Sequence, residues 1–310
     1  MMKKPSVVFF GNERIATGIK GTELPTANLL LTSGYIIDAV FSPNKGSEQS
    51  KNRNQHFEIE DFAKENNIPF YNQYSQTELV EILQKLPASV GILVAYGKIV
   101  PQSIIDHFAH GIVNIHPSLL PKYRGSTPIE AAILDGSNTT GVSIMQLSSA
   151  MDAGPVYAQE KLQLSGTETK DDIAKALSLK GAELLMKNLD SIINGDLKPI
   201  PQKGKATICK KISKQDGNID SDMSADKILR QIRAYAGWPK SHLSHQGMDL
   251  VVLEATMSNI KTKPGELIFA DNKLILGCNE SSIEIFSIQV SGKKPMDAKS
   301  FVNGYKNILS

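Results

Sequence analysis

Cysteine and tryptophan are nearly missing from this chain, with two Cys and one Trp among 310 residues. Cys209 and Cys278 lie far apart with no metal-ligand spacing around either, which excludes a disulfide framework and fits a reducing compartment. No stretch approaches the roughly 20 apolar residues of a membrane span. The basic opening MMKKPSVVFF runs into GNER before its apolar part reaches the length of a secretory core, so a cytosolic location is expected. Phosphate-cradling motifs are missing too: Gly11, Gly18 and Gly21 do not fall as G-x-G-x-x-G, and G-x-x-x-x-G-K-[ST] occurs nowhere. There is no G-x-S-x-G nucleophile elbow either. Charge of one sign does not dominate, since 34 Lys+Arg against 32 Asp+Glu leave a net +2.

What is present is an ordinary globular composition, 41% hydrophobic and 21% charged, in a chain long enough for one large and one smaller domain. SVVFFG (6–11), YIIDAVFS, IPFY and SVGILVAY (89–96) read as buried strands. Between them TELPTANLLLTSG, with a threonine cap and Gly34 at its end, EIEDFAKENN and TELVEILQKL read as helices, and PQSIIDHFA as one more. Such alternation predicts an α/β domain: a Rossmann-like, mostly parallel sheet with helices on both faces. The long pattern ETKDDIAKALSLKGAELLMKNLDSIING closes this domain near Gly195. After it, DLVVLEATMS, GELIFADNKLILGC and SSIEIFSIQV are short strands separated by turns, which suggests a small β-barrel. The expected boundaries are 1–200, a basic linker at 201–216, and 217–310.

In open α/β sheets ligands gather beyond the carboxyl ends of the strands. One such end is unusual. In GIVNIHPSLL the strand carries Asn114 and His116 two positions apart, hence on one face, while Val113 and Ile115 share the other. A buried amide and imidazole need partners, and a parallel strand ordinarily supplies aliphatic neighbours. Asp152, in the loop SSAMDAG, supplies a carboxylate flanked by small residues that let a ligand approach. Two donors converging on one oxygen make an oxyanion hole, and a carboxylate can orient the imidazole. With no serine elbow and no plausible cysteine nucleophile beside the trio, the attacking group is expected to belong to the substrate, an amine for instance. A free α-amino group titrates near pH 7.7, so base assistance can be modest. No second His or Cys stands at ligand spacing, and no metal is expected.

VAYGKIVP, NIHPSLLPKYRG, TPI, TGVSIMQL and MDAGPVYA, in this order and spacing, resemble the formyltransferase family that uses 10-formyltetrahydrofolate. The resemblance is strong over residues 6–200 and looser beyond. It implies that Asn114 and His116 contact the formyl oxygen and that Asp152 holds His116 and helps move protons as an amine attacks. It implies a folate site formed by Ser118, Leu119, Leu120 and Pro121, with Val94, Tyr96 and Gly97 lining the pterin pocket. Apolar walls with backbone donors and acceptors suit a flat pterin.

The second half decides among relatives. Residues 1–202 balance at −3 (18 Lys+Arg against 21 Asp+Glu) and residues 203–310 at +5 (16 against 11). Lys203, Lys205, Lys210, Lys211 and Lys214 fall in KGKATICKKISK, which reads either as a solubilising linker or as a strap for polyphosphate. Tryptophan and glycine elements such as YAGWP resemble the C-terminal half of the family's tRNA-binding members, which carry an OB-like barrel there. Those members imply initiator Met-tRNA as amine substrate and a protein acting as a monomer. Their basic loop after the second strand is matched here by Lys45, Lys51 and Arg53, without the family's arginine elements. Arg230 and Arg233 share a helix face at i, i+3, which reads either as a contact for phosphates or, more simply, as a solvated face. Formyl transfer to an amino sugar nucleotide or another small amine, and folate or RNA binding without catalysis, stay open as alternatives.

Overall fold

The computed structural model describes residues 4–19, 21–43, 58–306 and 309. Lys45, Lys51 and Arg53 lie outside the described residues. The first domain runs β1 (Ser6–Gly11), α1 (Pro25–Thr32), β2 (Ile36–Phe41), α2 (Glu58–Glu65), β3 (Phe70–Tyr71), α3 (Gln76–Leu83), β4 (Val90–Val94), α4 (Gln102–Ile105) and β5 (Ile112–His116). It continues through β6 (Arg124–Gly125), α5 (Pro128–Leu134), β7 (Thr139–Gln146), β8 (Val156–Gln163) and α6 (Lys170–Ile193). Seven strands form one sheet in the order β3-β2-β1-β4-β5-β7-β8. Strands β1 to β5 pair parallel, whereas β7 runs antiparallel to β5 and to β8.

Alternation along the strands sorts side chains to two cores. Val7, Phe9, Val113 and Ile115 join the cluster that includes Leu177 and Leu185 of α6. Val8, Phe10 and Ile112 join the opposite cluster with Leu79 and Leu83 of α3 and Ile104 of α4. Asn114 and His116 therefore continue the row begun by Ile112, toward the carboxyl edge of the sheet. The helix foreseen over PQSIIDHFA shrinks to a single turn, α4.

The start of α1 departs from the sequence reading. It begins at Pro25 behind Leu24 in the left-handed region, with no side-chain cap of its own. The carboxylate of Glu13, from the loop after β1, accepts the amides of Thr26 at 2.9 Å and Ala27 at 2.8 Å. A negative group at a helix N-terminus satisfies orphan N–H donors and complements the macrodipole. Burial nonetheless raises the Glu13 carboxyl above its ordinary value, against those hydrogen bonds.

Another carboxylate holds the turn that leads into α6, whose own cap is Thr169 with Asp172. Glu168 accepts the amides of Ser165 at 2.7 Å and Gly166 at 3.0 Å. Slight burial opposes its charge, but the hydrogen bonds win and hold it down to about 2. A carboxyl depressed on folding contributes stability present above its unfolded value and lost as pH falls through its folded one. Glu168→Gln is thus expected to melt below wild type at pH 7. In paired thermal melts the gap should close between about pH 4.5 and pH 2; a gap constant across that window contradicts the assignment.

The chain then crosses by β9 (Ile208–Cys209), which pairs with β6, to α7 (Ala225–Ala234). Strands β10 (Ser241–His245), β11 (Met248–Ser258), β12 (Leu267–Ala270), β13 (Lys273–Cys278), β14 (Ser281–Val290) and β15 (Met296–Asp297) follow, then α8 (Ala298–Gly304). They form an antiparallel sheet in the order β10-β11-β14-β13-β12, with β15 on β14. Leu250, Leu274, Ile285 and Ile288 pack there against Ile228 and Ile232 of α7 and Phe301 of α8.

The two domains are stitched by a buried lysine. Lys170 Nζ donates to the carbonyl of Thr17 and, at 3.2 Å, to that of Trp238. Burial lowers the Lys170 ammonium from its ordinary value, while the neighbouring Glu130 carboxylate opposes that shift. Among the described residues no helix is long and apolar enough to cross a membrane.

Candidate active site

The tip of β5 gathers the polar residues singled out in the sequence. His116 is 4% exposed and Asn114 6% exposed. The imidazole Nε2 lies 3.0 Å from the Tyr123 carbonyl, so the proton on that nitrogen is donated inward and fixes the ring. Nδ1 lies 3.7 Å from Asp152 Oδ1, an ion-pair distance too long for a hydrogen bond. The ring is thus oriented by a backbone carbonyl, and Nδ1 is the nitrogen left facing the carboxylate. The Asn114 side-chain amide makes no hydrogen bond with any described residue, nor is it among the sealed, orphaned polar atoms. An amide that is mostly buried, unpaired and still reached from outside is poised for a ligand.

Asp152 is held by groups that sequence reasoning missed. Its Oδ2 accepts the Gly125 amide at 2.7 Å, and its backbone sits at φ 47. Gln202 Nε2 donates to the carbonyls of Asp152 at 2.8 Å and Gly154 at 2.7 Å. The Gln202 carbonyl in turn accepts Arg124 Nη2 at 2.7 Å. The Arg-Gly pair after the Ser-Leu-Leu-Pro loop therefore clamps the carboxylate loop from both sides, Gly125 directly and Arg124 through Gln202. Gly125 has φ 112, and a Cβ there would meet the Cys209 carbonyl, so the position requires glycine.

Ser118, Leu119, Leu120 and Pro121 form a loop pinned from below. The Ser118 hydroxyl donates to the Lys122 carbonyl at 2.6 Å, and Ser143 Oγ donates to the Ser118 carbonyl at 2.6 Å. Ser143 Oγ accepts the Leu120 amide at 3.1 Å, and Gln159 Nε2 donates to the Leu120 carbonyl at 2.9 Å. One serine in β7 and one glutamine in β8 thus satisfy the backbone of the loop lying across those strands.

At the end of β4 the roles of Val94, Tyr96 and Gly97 separate. The Val94 carbonyl accepts the amides of Asn12 at 3.2 Å and Glu13 at 3.3 Å, so it serves the fold. The Tyr96 ring packs edge-on against Phe10 at 5.5 Å, and its hydroxyl lies 2.7 Å from that of Tyr74. The backbone is another matter. Ala95 and Gly97 have φ of 54 and 74, and no N–H or C=O of residues 95–97 takes a partner among the described residues. Unpaired backbone groups in a sharp turn beside Asn114 and His116 are the donors and acceptors that a flat heterocycle requires.

The linker runs over this assembly. The Tyr123 amide donates to Thr207 Oγ1 at 2.8 Å and the Arg124 amide to the Thr207 carbonyl at 2.9 Å. The Thr127 hydroxyl donates to the Lys210 carbonyl at 2.9 Å. Lys203, Lys205, Lys210, Lys211 and Lys214 are all exposed, and none forms an ion pair with a described residue. Cys209 enters the neighbourhood through β9, a closeness the sequence did not suggest. Its thiol is no nucleophile there: burial, helped by the carboxylates of Glu130, Asp135 and Asp152, pushes it up to about 12.

Comparison with known proteins follows the same outline. The family described as "Formyl transferase" matches residues 27–189, and "Formyl transferase, C-terminal domain" matches residues 211–306. A methionyl-tRNA formyltransferase of Thermodesulfovibrio yellowstonii is 33% identical over 97% of this chain and 96% of its own. That of Coxiella burnetii is 34% identical over 98% of this chain and 96% of its own. Among solved structures, HypX from Aquifex aeolicus in complex with tetrahydrofolic acid superposes with a TM-score of 0.67 at 17% identity. The match covers 97% of this chain and 48% of HypX. An N-formyltransferase from Helicobacter canadensis, complexed with folinic acid and dTDP-3-aminofucose, gives 0.64 at 19% identity, covering 92% and 99% of the two chains. At those identities the structural likeness concerns the fold.

Proposed function

The chain belongs to the formyl transferase family, and from that premise we propose that it moves the formyl group of 10-formyltetrahydrofolate to the α-amino group of initiator Met-tRNA. The observation that carries the reading is the unpaired Asn114 amide beside a His116 ring whose Nε2 is committed and whose Nδ1 is not. The full-length likeness to methionyl-tRNA formyltransferases supports the choice of acceptor.

In this reading the folate co-substrate is held by the turn at residues 95–97 and the loop at 118–121. The unpaired backbone groups of the turn fit the hydrogen-bonding edge of a pterin. The neutral amine attacks the formyl carbon, the new C–N bond forms, and the bond from that carbon to the folate nitrogen breaks. The proton lost by the amine is the one the leaving nitrogen gains. Asn114 Nδ2–H faces the formyl oxygen as negative charge grows on it, and His116 adds Nδ1–H when its ring carries a proton on both nitrogens, Nε2–H staying on the Tyr123 carbonyl; donors placed there act mainly in the transition state. Asp152, fixed by Gly125 beside Nδ1, takes the proton from the amine and passes it to the leaving folate nitrogen, so it ends in the form in which it began. No enzyme nucleophile is needed, in keeping with the buried thiol of Cys209. The lysines of the linker meet the phosphates of the acceptor arm.

The test uses purified full-length protein, 10-formyltetrahydrofolate and charged tRNA. Transfer to initiator Met-tRNA, well above transfer to elongator Met-tRNA, is expected. Efficient formylation of an amino sugar nucleotide with none of Met-tRNA overturns the acceptor and retains the formyl transfer.

A further inference from the structure

A second polar cavity lies at the seam between the domains, with none of the residues described above as catalytic in its wall. It has a volume of about 180 Å³ and is lined by Gly136, Ser137 and Asn138 after α5, by Gly166 and Glu168 before α6, and by Asp226, Arg230 and Arg233 of α7. The two arginines do not form a solvated face. Both Nε atoms are buried and without a hydrogen-bond partner. Arg233 is half-buried and makes no hydrogen bond or ion pair with any described residue. Burial pulls its guanidinium below the ordinary value and the like charge of Arg230 adds to that, while the carboxylates of Asp226 and Glu168 oppose the shift without reaching hydrogen-bond distance of Arg233.

Two acids stand nearby, and neither satisfies these donors. Asp226 holds Arg230 Nη2 at 2.6 Å from a side chain that is 64% exposed, a geometry of small energetic weight. Glu168 spends both its oxygens on the amides of Ser165 and Gly166. Gly136 leaves room for Arg230 to lie across the carboxyl end of α5, where a Cβ would strike its guanidinium. That placement suits a cation at a helix C-terminus, but it accounts for one arginine and leaves its Nε and all of Arg233 unpaired. The exposed Asn138 side chain, with no hydrogen bond to a described residue, adds an amide donor at the rim of the same wall. Buried guanidinium donors are seldom left empty, and a planar fork of N–H groups matches a tetrahedral oxyanion.

We propose that this seam is a phosphate-binding site, in which Arg230, Arg233 and Asn138 take the oxygens of a small phosphate-bearing molecule and so tie α7 to the first domain. The volume admits a phosphate and a small substituent and falls below the roughly 300–1,000 Å³ of sites for larger ligands. An anion bound there bridges residues of both domains, so it stabilises the folded, docked chain by mass action.

Inorganic phosphate is the probe, titrated into the full-length protein at ionic strength held constant with chloride, with thermal unfolding and calorimetry as readouts. A saturable rise in melting temperature is expected. Arg233→Met should weaken the apparent Kd about tenfold or more, the effect of losing charge-assisted hydrogen bonds. Arg233→Lys, which keeps the charge and the stem but not the fork, serves if the methionine variant does not fold, and it too should bind weakly. A rise that does not saturate, or one equally large in both variants, overturns the site. Added tRNA separates the two sources of phosphate. Competition between tRNA and phosphate in wild type, absent in the Arg233 variants, assigns the site to an RNA backbone; unchanged tRNA binding at saturating phosphate assigns it to a free phosphate compound.

Discussion

His116→Ala is expected to lower kcat for formyl transfer by about 10²- to 10³-fold, the range seen when one preorganised donor to a developing oxyanion is removed. KM for folate and for tRNA should change little, because the lost interaction strengthens only as charge moves onto the formyl oxygen. The substitution also strands the Tyr123 carbonyl, which now accepts from Nε2 at 3.0 Å. An unsatisfied acceptor costs about 1–3 kcal/mol, so some loss of melting temperature accompanies the loss of rate. Rates are therefore measured well below the transition of the variant. Asn114→Ala should give a loss of similar size with less effect on stability, since its amide has no internal partner to abandon. The double variant should fall short of the product of the two losses if both groups serve one oxygen. A folded His116→Ala protein retaining more than about a tenth of wild-type kcat contradicts the oxyanion role.

The strands that frame this site announce themselves. β1 and β4 are short apolar runs with the composition of strands covered on both faces, and β2 and β5 are such runs interrupted by Asp38 and by Asn114 and His116. Within β5 the period of two alone placed Asn114 and His116 together. The edge of the sheet was less legible, because β7 and β8 run antiparallel to their neighbours, a choice made by the connections through α5 and through the Asp152 loop rather than by the residues of the strands. What holds the trio was hidden for a different reason. Tyr123 acts through its carbonyl and Gly125 through its amide, and backbone groups leave no mark in a sequence. Gln202 and Glu13 act through side chains, but their partners are fixed only by the tertiary fold, Glu13 capping a helix that starts 12 residues later. The same holds for Arg230 and Arg233, whose spacing fits a wet helix surface until α5 and the turn before α6 close over them.

Replacing Lys203, Lys205, Lys210, Lys211 and Lys214 together by glutamine should change how tRNA binding responds to salt more than any other property. Each lysine that neutralises a phosphate releases condensed counterions, so log K falls with log salt by about 0.7–0.9 per contact. Five fewer contacts flatten the slope by roughly 3.5–4.5. Between 50 and 200 mM salt, wild type should then lose on the order of 10²- to 10³-fold more affinity than the variant. The geometry favours full engagement, because this is not a loose tether. Thr207 is bonded to Tyr123 and Arg124, the Lys210 carbonyl receives the Thr127 hydroxyl, and the Ser213 amide is tied to Asp216 at 2.6 Å. The lysines therefore project from a backbone fixed beside the loop at 118–121, and none of them forms an ion pair with a described carboxylate. On the proposed reading, an acceptor arm held by that strap would have its 3′ end brought to the tip of β5. The rate at saturating tRNA should accordingly survive in the variant while KM rises, the pattern of lost uniform binding. An unchanged salt slope, with the variant folded, removes the strap from tRNA recognition and leaves those charges to solubility alone.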